Sequence, residues 1–517
     1  MNAAPNFEVG AGKMSITTAS SSGLFLAVIF VLSVYAFSFT KSAGPSLPII
    51  NPPKALDFGN RRRLQEFTEN SLEILKKGRD MYPDQPYLLF SPFGAETVML
   101  PTSLIDEVRS HPALGFSEGA EDQVHAYIPG FKPFRSAGMG AVLNKYLTKS
   151  LGKLTKPLST ETMLTLRETL PDCSETTEIH LAPYAHKIVS RVATRAFAGE
   201  ELCRNQDWIR VSAEYTRLTF GDLHSKLHEY NRAVRPLVHW FMPKAWEARR
   251  LLNEAHQILA PYLERREALR ASNEPMPDDA LEWVRHVPNP EAWDPTTFQI
   301  SLALNAIHTT TDLLLTTMTR IAQHPELFQP LREEIIHAFT AHGIEKTALA
   351  DLKLLDSVTK ESQRLKPVML GGFRRWAVKD FKLSTGHTIR KGQAVTGDTL
   401  HMVAGYGTEY ENPLEFDPYR FLKMRSEPGK KHQAELVSTS SKHLGFGHGN
   451  HACPGRFFAA NEIKVILSHM LLKYDWKLAP GSEDPRTTYH GFLIIGDQST
   501  KFLLKRRQEE INLDELE

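Results

Sequence analysis

Cysteine is scarce in this chain: three in 517 residues, Cys173, Cys203 and Cys453, an odd number without CxxC spacing. That count argues against a disulfide framework and against a zinc site, and it fits a catalytic domain facing a reducing compartment. An excess of one charge sign is also missing. With 61 Lys and Arg against 60 Asp and Glu, the net charge of +1 supplies no basic face for nucleic acid. No Gly-x-Gly-x-x-Gly fingerprint for a flavin or nicotinamide occurs, and no repeat or low-complexity tract emerges. What remains is 41% hydrophobic content over a length suited to one large domain with a deep interior.

One long apolar run is present. Residues 23–39 carry no charge and as a helix would be about 26 Å long, near the short end of what spans a bilayer. A cleavable signal peptide fits less well, because no basic stretch lies close before the run and no small-x-small site closes it. Lys41, Lys54, Arg61, Arg62 and Arg63 follow, and Lys13 alone precedes, so the positive-inside rule leaves the bulk of the chain in the cytoplasm. Pro45, Pro48, Pro52 and Pro53 then read as a semi-rigid spacer. The expected organisation is a lumenal segment 1–22, an anchor 23–39, a hinge 40–54 and a catalytic domain 55–517. Within that domain the pattern is mainly α with a small β region, the strands falling at Tyr87 to Leu100 and Phe373 to Val395. Ser384-Thr-Gly386 marks a hairpin turn in the second of these.

Cys453 sits in Phe446-Gly-His-Gly-Asn-His-Ala-Cys-Pro-Gly455, and an apolar-patterned helix from Arg456 to about Lys473 begins straight after it. Three glycines permit tight folding and close approach to a flat object. The free amides that open the helix favour a thiolate, which is a strong axial ligand for haem iron. A lone cysteine would ordinarily be a buried structural residue. The pattern Phe-x-x-Gly-x-His-x-Cys-x-Gly, however, resembles the haem-binding signature of the cytochrome P450 family.

A second motif lies mid-chain. Asp294-Pro295 predicts a helix start, and the periodic pattern runs to about His324 before Pro325. His308-Thr309-Thr310-Thr311 interrupts it with poor helix formers at a cost of roughly 2 kcal/mol relative to alanines. Either the hydroxyls bond back to the preceding turn, or a local distortion opens a polar groove. Asn305-Ala-Ile-His-Thr-Thr310 is similar to the family's oxygen-activation helix, which implies that Thr309 helps deliver protons. His308 stands where the family has an acid, an imidazole titrating near neutrality in place of a carboxylate.

Glu361 and Arg364 share a helix face, and Arg420 lies in Phe416-Asp-Pro-Tyr-Arg-Phe421. By resemblance these three lock the structure that holds Cys453. Cys453 is then the iron ligand, Phe446 lines the haem, and His451 and Arg375 contact the propionates, with Arg374 as rival. The resemblance implies a cytochrome P450 fold behind a single transmembrane helix in the endoplasmic reticulum membrane. It implies haem b with an axial thiolate, dioxygen, and an NADPH-dependent flavoprotein reductase. Lys423, Arg425, Lys430, Lys431 and Lys442 would offer that reductase a basic approach, unless they form no more than a solvated loop. The pocket would be lined by Ala303, Ala306, Ile307, Val368, Met369, Leu370, Phe492 and Leu493, all suited to an apolar substrate. The chain looks like fungal secondary-metabolism members similar to ent-kaurene oxidase, pointing to a terpenoid or meroterpenoid. A polyketide-type metabolite is the alternative, and a reductase-independent haem-thiolate isomerase or dehydratase is a rival activity.

Overall fold

The computed structural model describes residues 47–516, apart from 55, 56, 58, 59, 92–94, 118, 120–124, 132–137, 231, 232, 287–292 and 405–409. The expected anchor, 23–39, lies outside the described residues. Among those described, no helix is long and apolar enough to cross a membrane.

The longer helices are α1 (Arg61–Met81), α2 (Thr102–Val108), α3 (Thr148–Thr169), α4 (Leu181–Cys203), α5 (Gln206–Leu218), α6 (Pro243–Ala271), α7 (Pro295–Gln323), α8 (Phe328–His342), α9 (Lys353–Leu365), α10 (Arg420–Ser426) and α11 (Arg456–Lys473). The main sheet runs β1 (Tyr87–Ser91), β2 (Ala95–Leu100), β8 (Ala394–Asp398), β5 (Gly371–Ala377) and β3 (Leu114–Gly115). All its neighbours are antiparallel except the β2–β8 pair. Phe381 pairs with Ile389 across the β6–β7 hairpin (Phe381–Lys382 and Thr388–Ile389), whose turn contains Gly386 at φ 85°. The expected turn is therefore in place.

Sequence pattern alone did not isolate a second β region. β4 (Thr177–His180), β12 (Lys501–Arg506) and β9 (Tyr474–Leu478) form an antiparallel sheet, and β10 (Thr488–His490) pairs with β11 (Leu493–Ile495). β9 follows α11 with no loop between them. Tyr474 and Trp476 face inward while Asp475 and Lys477 face out, a period-two alternation that an unbroken helical reading of the segment hides.

One apolar cluster holds α3, α4, α7, α8, α9 and α11 together, with Leu302, Ile307, Leu314, Met318 and Ile321 of α7 inside it. α7 packs along α4 on one side and α9 on another. Its start is fixed by Asp294, whose Oδ2 accepts from the Thr297 amide at 2.9 Å. A 29-residue helix so enclosed is a rigid spine, about 44 Å long at 1.5 Å per residue.

Candidate active site

The Cys453 loop is built from backbone constraints. Gly447 and Gly449 have φ of 68° and 77°, which a side chain rarely adopts, and a Cβ on Gly449 would come within 2.4 Å of the Arg109 carbonyl oxygen. The Cys453 amide donates to the Phe446 carbonyl at 2.8 Å, closing the loop immediately before α11. Burial pushes the Cys453 thiol up, while the Gly455 and Arg456 amides and the Arg456 charge pull it down. The residue as a whole is half-buried. The expected arrangement of helix-opening amides around the sulfur is thus what the geometry provides.

Beside this loop is a buried ionic network. Arg364 donates to both oxygens of Glu361 at 2.8 Å, and Arg420 Nε donates to Glu361 Oε1 at 3.0 Å. Glu361 and Arg364 expose none of their side chains. The spare guanidinium protons go to the carbonyls of Met402, Glu411, Asn412 and Glu415. Lys360, pushed down to about 7 by burial, donates to the Gln433 and Glu435 carbonyls at 2.7 Å. These residues fasten α9 to the segment that leads into the cysteine loop.

The two arginines of β5 occupy opposite faces of the strand. Arg375 is buried and donates to the His448 carbonyl at 2.7 Å, which ties β5 to the cysteine loop; Arg374 is half-buried. Burial alone lowers each to about 10. The Arg375 guanidinium, buried and lowered by desolvation, suits a ligand that brings a carboxylate of its own. His451, exposed at the end of a 3₁₀ turn (Gly449–His451), stacks on Phe116 at 6.2 Å.

On α7, Asn305 and Thr309 lie one turn apart and are accessible, although Ala303, Leu304, Ile307 and Thr310 around them are buried and Ala306 half-buried. The helix carries no distortion at this point. Thr309 donates to the Asn305 carbonyl at 3.0 Å and Thr311 to the Ile307 carbonyl at 2.8 Å, so the hydroxyls are satisfied without opening the helix. A polar, accessible face exists, but it comes from side-chain placement and not from a bent backbone.

His308 does not titrate near neutrality. Burial and the neighbouring His186 push it down to about 4. The His186 and His308 rings are 4.9 Å apart, and Ser190 Oγ lies 3.4 Å from His186 Nδ1. This Ser190–His186–His308 row beside Thr309 has no sequence signal, because α4 and α7 meet only in the fold.

Two of the three expected pocket segments, 368–370 and 492–493, meet; Ala303 and Ile307 of the third pack into the main core. Leu370 N donates to the Phe492 carbonyl at 2.8 Å and Ile494 N to the Val368 carbonyl at 3.0 Å, with Met369 bridged to Leu493. Leu370 and Phe492 pack among Phe67, Leu75 and Leu400, so they brace this ribbon; Val368 and Met369 keep partly accessible side chains, and Leu493 is exposed. The basic approach is less free than the sequence suggests. Arg425 is mostly buried on Asp356 at 3.0 Å, Lys423 pairs with Asp417 at 3.2 Å, and Lys430 pairs with Glu427 at 2.7 Å.

The donor set fits an iron porphyrin: one sulfur held by amides, the buried Arg375 guanidinium for an acidic side arm, glycines where the backbone must turn tightly, and an accessible hydroxyl on a core helix. Comparison with known proteins agrees. The family model described as cytochrome P450 matches residues 139–505. A cytochrome P450 monooxygenase of Fusarium heterosporum, eqxH, is 44% identical, covering 96% of this chain and 96% of its own. The cytochrome P450 monooxygenase hepE of Aspergillus oryzae is 36% identical over 93% of this chain and 90% of its own, and ptmU of Penicillium ochrochloron is 36% identical over 93% and 96%. Since both the signature loop and its supporting ion network are assembled here, and the likeness runs nearly end to end, the chain belongs to the cytochrome P450 family, as one of its monooxygenases.

Proposed function

We propose that this monooxygenase oxidises an apolar terpenoid or meroterpenoid intermediate of secondary metabolism. It works as a single-pass enzyme of the endoplasmic reticulum membrane, with its catalytic domain in the cytoplasm. Electrons come from an NADPH-dependent flavoprotein reductase. The observation that supports the substrate class is the apolar character of the expected lining that is not fully buried: Ala306 beside the accessible Thr309, and Val368, Met369 and Leu493 on the ribbon. The uncharged run 23–39 and its basic flank support the anchor.

Bound haem supplies the activation of dioxygen and the transfer of one oxygen atom to carbon. The chain's own residues do the rest. The Gly455 and Arg456 amides favour the anionic form of Cys453 Sγ against the burial that raises the thiol, and an iron ion would complete that stabilisation. Arg375, anchored on the His448 carbonyl, would supply positive charge to an acidic side arm of the haem. The Thr309 hydroxyl, donating to Asn305 O, is placed to accept and pass on a proton. His308, uncharged at neutral pH, takes part as a neutral hydrogen-bonding group.

The test is expression of the full chain with a fungal reductase in a host fed candidate diterpenoids, meroterpenoids and polyketides. Products heavier by one oxygen from the terpenoid set are expected. Turnover of polyketides alone would refute the substrate class, and product formation without NADPH would refute the dependence on a reductase.

A further inference from the structure

We propose that His125, His224 and His228 form a zinc-binding site that clamps the segment following residue 124 onto the short helix His224–His228. One ring nitrogen from each imidazole lies within 4.8 Å of the other two. The ring centres are 4.7 and 5.3 Å from His125 to its partners and 4.5 Å between His224 and His228. A tetrahedral zinc with bonds of about 2.0–2.1 Å spaces its ligand atoms about 3.3 Å apart, so closure needs shifts of about an ångström. His224 and His228 are four residues apart on one helix, the spacing that puts two imidazoles on one face.

A second observation points to a ligand. His125 is fully buried, and its Nδ1 lies 3.3 Å from the Tyr127 hydroxyl. Its Nε2 has no hydrogen-bond partner, although the His224 backbone carbonyl approaches the ring. A hydroxyl on Nδ1 orients the ring and leaves Nε2 as the metal-facing atom, and an orphaned buried nitrogen is costly unless something binds it. The His125 backbone is held at φ 57°, an uncommon conformation for a residue with a side chain, and a π-helical turn, Thr219–Leu223, precedes His224.

Three neutral nitrogens plus water is a donor set that zinc accepts. The scarcity of cysteine argues against thiolate sites and is silent about imidazoles gathered from distant segments. The charges of Arg235 and Arg374 are felt at the cluster and oppose a dication; a fourth ligand that is an anion or hydroxide offsets them. The position gives the site a consequence. Ala126, Ile128, Leu223 and Leu227 share an apolar cluster with Ile300 and Leu304 of α7, so the clamp would stiffen the layer packed on α7 just before Thr309.

The test titrates chelator-treated, haem-loaded full-length protein with Zn²⁺ alone and measures bound zinc after gel filtration. One zinc per haem is expected, with affinity falling at least about tenfold in His224→Ala and in His228→Ala. The reduced carbon monoxide spectrum serves as the control for folding. Hydrogen exchange across residues 125–131 of the unmutated protein should slow when zinc is added. Equal zinc binding by the wild type and both variants would overturn the site, as would unchanged exchange in the wild type.

Discussion

Replacing Glu361 with Gln tests whether the charge network, rather than packing alone, holds the floor of the site. Glu361 accepts two bonds from Arg364 at 2.8 Å, one from Arg420 at 3.0 Å and one from the Asp417 amide at 3.2 Å. Glutamine keeps the shape but turns one acceptor into a donor aimed at a guanidinium, and it leaves two buried cations without their shared anion. Removing one partner of a buried ion pair costs about 3–5 kcal/mol. The carbonyls of Met402, Glu411, Asn412 and Glu415 still solvate the guanidiniums, which favours the low end, about 3 kcal/mol. That is roughly a 150-fold fall in the folded-to-unfolded ratio at 1.36 kcal/mol per decade. With a guanidinium slope of about 5 kcal/mol/M, the denaturation midpoint, followed by tryptophan fluorescence, should fall by about 0.6 M. The reduced carbon monoxide complex should also lose part of its thiolate-type band, because the loop holding Cys453 loosens. A midpoint and a band both matching wild type would refute the reasoning.

Thr309→Ala should raise peroxide release and lower product formation at least ~10-fold at matched NADPH consumption, as loss of a positioned proton donor does; unchanged coupling would remove Thr309 from proton delivery. For His308, the unfolded chain takes up a proton near 6.5 and the folded one near 4, so the unfolded state binds more protons between these values and stability falls as pH drops through that window. His308→Gln should flatten that part of the pH–stability curve and leave coupling at pH 7 nearly intact, whereas a large coupling loss would show that the imidazole itself carries the proton. Glu462 is buried with both oxygens unpartnered, and its carboxyl is held well above the ordinary 4.5 by burial. Here the folded state binds the extra proton, so stability should fall as pH rises past about 4.5; Glu462→Gln should gain on wild type in thermal melts from pH 5 to pH 8, and a constant difference would refute it.

Features written in short stretches of chain were legible before folding. The Cys453 loop, the Asp294 cap, the Arg456–Lys473 helix and the Gly386 turn each depend on residues within a few positions of one another, and the fold places them where the pattern implies. Features made by tertiary contact were not. His186 meets His308 only because α4 packs along α7. Arg425 looks like surface charge in the sequence, yet Asp356, which also pairs with Lys464, draws it into an internal ion group. The threonine run left two readings open, a local distortion or hydroxyls bonded back to the preceding turn, and only the packed helix shows the second.

The two sides of the site are held by different physics, and this bears on how one fold serves many substrates. Around Cys453 the fixing elements are ionic and buried: Glu361 between two arginines, Asp356 between Lys464 and Arg425, and Lys360 on backbone carbonyls. Such groups add little net stability over apolar packing, but each is expensive to rearrange, so they narrow the positions open to the sulfur. On α7 the Thr309 and Thr311 hydroxyls bond back to the helix's own carbonyls, and the layer packed on its first half joins the helices α5 and α6 to short elements, among them a π-helical turn and the five-residue helix that carries two of the three clustered imidazoles. Short elements with few internal bonds open at low free energy. Substitutions that change which substrate is admitted therefore belong in that layer and in the ribbon of residues 368–370 and 492–494. Substitutions near Glu361 should instead lower activity toward every substrate alike, because they move the sulfur and leave the shape of the entrance unchanged.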